Sequence, residues 1–118
     1  MIRSEIICLA VVVLAAAPVH AADFTDVSFT NCTGGVLKFD ANGTYQVEDG
    51  YTVTSFTLSA QMGDQTTTAS VTYANGNWNK TLNLAPGTYD VTVTISTRMG
   101  TTTVSVSRTK TGIVVTAN

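Results

Sequence analysis

Tyr89-Asp90-Val91-Thr92-Val93-Thr94-Ile95-Ser96 alternates an apolar residue with a polar one over eight positions. A period of two belongs to a β-strand with one face buried and one in water. The same alternation recurs outward along the chain. Val104 and Val106 interleave with Thr103, Ser105 and Ser107, while Trp78, Leu82 and Leu84 share a face opposite Asn79, Thr81 and Asn83. Nothing after residue 21 has a helical period.

Turn-forming pairs interrupt these runs: Gly34-Gly35, Asn42-Gly43, Asp49-Gly50, Gly63-Asp64, Asn75-Gly76, Pro86-Gly87 and Met99-Gly100, with Gly112 alone. Each supplies a residue that tolerates the backbone of a tight turn. The strands expected between them are 24–30, 35–40, 44–48, 51–60, 66–74, 78–84, 88–97, 101–109 and 113–117. Tyr51 and Val53 lie on the opposite phase from Phe56, Leu58 and Ala60, which predicts a β-bulge near Thr54 or Ser55. Seven to nine short strands at this spacing imply an all-β sandwich or barrel. The expected core is Phe29, Val36, Leu37, Phe39, Phe56, Leu58, Val71, Tyr73, Leu82, Leu84, Tyr89, Val91, Val93, Ile95, Val104 and Val106.

The first 21 of the 118 residues read as a secretory signal. Arg3 precedes the apolar run Ile6–Ala17, Pro18 ends it, and Val19 and Ala21 stand where a signal peptidase needs small residues. The run is too short to span a bilayer. The expected domain is therefore 22–118, exported to the periplasm or the extracellular space. No later segment is apolar enough to hold the processed chain in a membrane.

In those 97 residues Thr and Ser number 29 and charged residues only 12, so hydroxyls must solvate most of the surface. Five basic and seven acidic residues leave a net charge of −2, which offers nucleic acid no electrostatic footprint. The one histidine, His20, falls in the signal segment, which removes histidine triads and the usual zinc ligand sets from the domain. The reading is non-enzymatic, and no cofactor is expected.

From Ala69 to Thr97 the chain resembles bacterial immunoglobulin-like and fibronectin-III-like domains. The Asn75-Gly76-Asn77-Trp78 hairpin leading into Leu82 and Leu84 carries part of the resemblance. Leu84-Ala85-Pro86-Gly87-Thr88-Tyr89, followed by Val91 and Val93, carries the rest. The resemblance implies a tyrosine corner built on Leu84, Pro86, Gly87 and Tyr89, in which the Tyr89 hydroxyl bonds back to upstream backbone. Val91 stands where antibody domains place their second cysteine, so the implied type is the disulfide-free one.

Five other features could carry chemistry. Trp78, Tyr45, Tyr51 and Tyr73 could form a flat platform for stacking sugars, although Trp78 shares the face of Leu82 and Leu84 and suits a core equally. Cys32, the one cysteine after residue 21, could link two chains or simply fill a small apolar space. Asp40 with Asn42, and Glu48 with Asp49, match no recognised calcium loop and fit turn chemistry. Thr52/Thr54 and Thr92/Thr94 suggest a hydroxyl ladder, read as cross-strand pairing on a solvated face. Three Asn-x-Thr triplets, at Asn31, Asn42 and Asn79, fit the glycosylation sequon by composition alone.

The function expected is an exported binding or structural module, such as a surface-assembly or matrix subunit. The alternative is a carbohydrate-binding module acting through exposed aromatics. Its partner is an unidentified protein or glycan. Any self-association is expected to run through the edges of strands 66–74 and 101–109, and the competing expectation is that 113–117 covers one of them and keeps the protein monomeric.

Overall fold

A computed structural model describes residues 24–117, and the signal segment expected at 1–21 lies outside the described residues. Among the described residues eight strands make up two antiparallel four-stranded sheets: β1 (Asp26–Gly34), β2 (Lys38–Gln46), β3 (Thr52–Met62), β4 (Gln65–Ser70), β5 (Thr72–Ala74), β6 (Asn77–Asn83), β7 (Gly87–Met99) and β8 (Thr102–Val115). One sheet runs β1-β2-β6-β5 and the other β4-β3-β7-β8. Lettered in chain order as A, B, C, C′, D, E, F and G, these are A-B-E-D and C′-C-F-G, the immunoglobulin-like arrangement.

Turn chemistry sets the hairpins. Asn75 and Gly76 both have positive φ, as a two-residue type I′ turn requires, and they join Ala74 to Asn77. Gly63 and Gly100 take positive φ at the first central position, the pattern of type II′, between β3 and β4 and between β7 and β8. The bulge expected near Thr54 is present. Val53 faces Thr97 and Ser55 faces Ser96, so Thr54 is the extra residue.

Three of the expected strand boundaries are corrected. Segments 35–40 and 44–48 belong largely to a single strand, β2, because Asn42-Gly43 lies in mid-strand and does not turn. A Cβ at Gly43 would collide with the Ser28 carbonyl and the Trp78 indole, so this glycine serves close packing. Segments 101–109 and 113–117 are likewise one strand, β8. Tyr89 faces Ile113 but Val91 faces Lys110, and Gly112 sits in the extra residue's bulge with positive φ. Residues 113–117 therefore do not fold back to cover an edge. Segment 66–74 is instead divided, because the chain passes from one sheet to the other at Val71, whose N–H donates to the Phe56 carbonyl.

The two sheets bury one core between them. Val27, Phe29, Phe39, Ala41, Trp78 and Leu82 face Phe56, Leu58, Ala60, Tyr89, Val91, Val93, Ile95 and Val115. Val36 and Leu37, expected inside, are about half exposed, at 52% and 49%. They occupy the β1–β2 connection, where Leu37 has positive φ and donates its N–H to the Thr116 carbonyl. Their backbone is used and their side chains are not. Leu84 and Val106 only flank the core, and Val104 is half-buried.

Candidate functional site

The four aromatic residues of the alternative, sugar-stacking reading do not form a platform. Trp78 is 1% exposed, in the core. Its indole crosses the sheet over Gly43, its partner on β2, and its Nε1–H donates to the Ser28 carbonyl on β1 at 3.0 Å. Beside it, the β1 ladder slips between Phe29 and Asn31, and the Phe29 ring meets the indole edge-on at 5.5 Å. The ring thus ties three strands together. A buried indole needs a partner for its N–H, and here a backbone carbonyl supplies it.

Tyr45 and Tyr73 meet at 5.6 Å with their planes at 90°, and Phe56 packs against both at 5.2 and 5.1 Å. Tyr73, expected in the core, is 42% exposed because β5 is a three-residue edge strand that leaves one side of the ring uncovered. Tyr51 lies in the turn before β3, its N–H bonded to the Glu48 carbonyl, and has no ring contact among the described residues. Perpendicular rings around a phenylalanine are packing, and a sugar face needs them coplanar.

The outer face of the β4-β3-β7-β8 sheet has a different character. Along β7, Tyr89, Val91, Val93, Ile95 and Thr97 are buried, which turns Asp90, Thr92, Thr94, Ser96 and Arg98 outward. Register then places Thr68, Ser59, Thr92 and Thr109 in one row across all four strands. Ser70, Thr57, Thr94 and Ser107 make the next row, followed by Ser55, Ser96 and Ser105. Eleven neighbouring positions carry a hydroxyl and none carries a charge, over about 14 Å in each direction. Asp90 bounds this field at one end of β7 and Arg98 at the other.

Hairpin geometry explains the bonding within the field. The two-residue turn makes Met99 and Thr102 a hydrogen-bonded pair, so Thr92–Thr109, Thr94–Ser107 and Ser96–Ser105 fall on the alternate pairs, where side chains come closest. Their hydroxyls bond each other at 2.9, 2.8 and 2.8 Å. Of the ladder suggested by sequence, Thr92/Thr94 belongs here. Thr54 does not, because the bulge turns its hydroxyl to the Ser96 carbonyl. Sequence reasoning missed the extent of the field because its columns come from four separate strands. The signal was the i, i+2 repetition of Ser and Thr in each of them.

The remaining candidates are structural. The Tyr89 hydroxyl donates to the Ala85 carbonyl at 2.7 Å, across the turn from β6 to β7 that holds Pro86 and Gly87. Leu84 flanks the core there, and its N–H bonds the Leu37 carbonyl. Cys32 is half-buried on the inward face of β1 and packs against the core. Burial pushes its thiol up from 9.0 to about 11, and Lys110 nearby offsets only part of this. The thiol stays protonated at neutral pH and is a poor nucleophile, which argues against a role as an interchain link. Asp40 accepts from the Thr81 hydroxyl at 2.5 Å, with Lys38 at 3.9 Å. Among the described residues no three His, Cys, Asp or Glu side chains are grouped to hold a metal ion. Comparison with protein-family models, curated proteins and solved structures returns no match for this chain.

Proposed function

We propose that the chain is an exported, non-enzymatic immunoglobulin-like module with a binding or structural role in surface or matrix assembly. One observation carries the reading: the eleven-position hydroxyl field on the β4-β3-β7-β8 face, uncharged and bounded by Asp90 and Arg98. Short hydroxyl side chains leave the pleated surface without protruding groups, so another extended polar surface can approach it closely. Their donors and acceptors suit a hydroxyl- or amide-rich partner, whether protein or glycan. Charged proteins and nucleic acid find no complementary potential on it.

Capture from the envelope fraction of the source organism, with a glycan array alongside, tests this role. The unaltered protein is compared with a Ser59→Lys/Thr94→Lys variant, which places two long cations in the middle of the field. Retention of a component by the unaltered protein and its loss from the variant is the expected result. Equal capture by both, or none by either, overturns the reading.

A further inference from the structure

The edges of the two sheets are not equivalent. β5 is three residues long, and β1 and β8 lie against each other along one flank. β8 also carries Arg108 and Lys110 on its inward phase, and it is kinked by the bulge at Gly112, devices that blunt an edge. β4, Gln65–Ser70, has no charged residue, no proline and no bulge, and among the described residues β3 is its one strand neighbour. All of it except Ala69 is exposed. The turn at Gly63-Asp64 makes Met62 and Gln65 a hydrogen-bonded pair, so the alternation leaves the N–H and C=O of Thr66, Thr68 and Ser70 facing away from β3.

We infer that this edge pairs with the same edge of a second copy of the chain, antiparallel about a two-fold axis, joining two four-stranded sheets into one of eight. Centred on Thr68, the pairing sets Thr66 against Ser70 and Thr68 against its own copy, hydroxyl opposite hydroxyl. β4 brings no like charges together. The two Asp64 side chains next to it fall at opposite ends of the new ladder, about 25 Å apart. The hydroxyl rows of the outer face then run on across the junction, because Thr68 and Ser70 are already their end members. A six-residue ladder buries less than the roughly 1,200 Å² of a standard stable interface, so the pairing is weak and reversible.

This inference rests on the assembly role proposed above and fails separately from it. Sedimentation velocity of the protein purified from an exporting host, from about 10 μM to about 1 mM, reads a weak dimer directly. The expected result is a dimer fraction that grows with concentration and disappears in Thr68→Pro. That substitution removes an outward N–H and spares the ladder to β3. Amide exchange on the unaltered protein provides a reading that does not depend on the proline variant folding. Protection of Thr66, Thr68 and Ser70 should rise with concentration while that of Ser107 and Thr109 on β8 stays constant. A monomer across the range, a dimer that survives Thr68→Pro, or protection that rises on β8 overturns the inference. If the dimer is absent but the hydroxyl field still captures its envelope component, the assembly role stands without the pairing.

Discussion

On one flank of the sandwich β1 and β8 face each other across the gap between the sheets, while on the other β4 and β5 part at Val71 and leave β4 without a second strand neighbour among the described residues. The closed flank is held by specific contacts. Arg108 reaches Asp26 at 2.6 Å, Gly34 lies directly against the Val114 carbonyl, and Val36 bridges Thr116 in parallel. Cys32 fills the space behind them, near Lys110. The open flank is a threonine-rich strand with water on one side. Both strands are rich in Thr and Ser, so composition does not distinguish them. The difference comes from charges turned inward and from a glycine that lets two backbones touch.

The sharpest way to break the closed flank is Gly34→Ala. A Cβ there has no room beside the Val114 carbonyl, and the backbones must separate. A loss of about 3 kcal/mol is expected from urea unfolding. An unchanged midpoint would mean that the two strands are not in contact in solution.

Tyr89→Phe, at a residue that faces the end of β8 at Ile113, is expected to cost up to about 1.5 kcal/mol, since Ala85 is exposed and water can reach its carbonyl. The ring remains, but the Ala85 carbonyl loses its donor. Thermal and urea unfolding should agree on this loss.

Cys32 reports on the same flank through pH. Its thiol ionises at about 11 in the folded protein and near 9.0 once exposed. The unfolded chain therefore releases the proton first. The associated stability is complete below pH 9 and is lost as pH rises towards 11. After allowance for partial exposure, the alkaline loss should exceed that of Cys32→Ala by about 1–2 kcal/mol. Parallel loss in the two proteins would place the thiol in water.

Arg108→Ala removes an ion pair that is about half exposed, and less than about 1 kcal/mol is expected. The more sensitive readout is association, since the variant makes β8 a plainer edge. On the open flank, Thr67→Lys should change stability by no more than about 0.5 kcal/mol, because the residue is exposed. A large destabilisation there would show that the flank is covered.

Much of the fold was legible from single strands. The alternation in Tyr89–Ser96, the turns at Asn75-Gly76 and Gly63-Asp64, and the phase conflict at Thr54 all reappear in the structure. These signals are local, since each depends on residues within one strand or one turn. Gly43 and Gly112 read as turns but lie within strands, because a glycine's freedom looks the same whether a turn, a bulge or a neighbouring ring requires it. Trp78 illustrates the same limit. Its burial depends on Gly43 and Ser28, 35 and 50 residues away along the chain.

Sequence by itself determined that the chain makes strands, how most of their faces divide, and where the tight hairpins fall. Backbone sterics and the period-two burial of apolar side chains suffice for that. Tertiary structure decided which hydroxyls became neighbours and which edge stayed open. Register across β4, β3, β7 and β8 aligns Ser and Thr from four separate segments into one field, and the crossing at Val71 leaves β4 without a second strand neighbour among the described residues. Both outcomes depend on contacts between residues far apart in the chain, and those contacts exist only once the two sheets have packed.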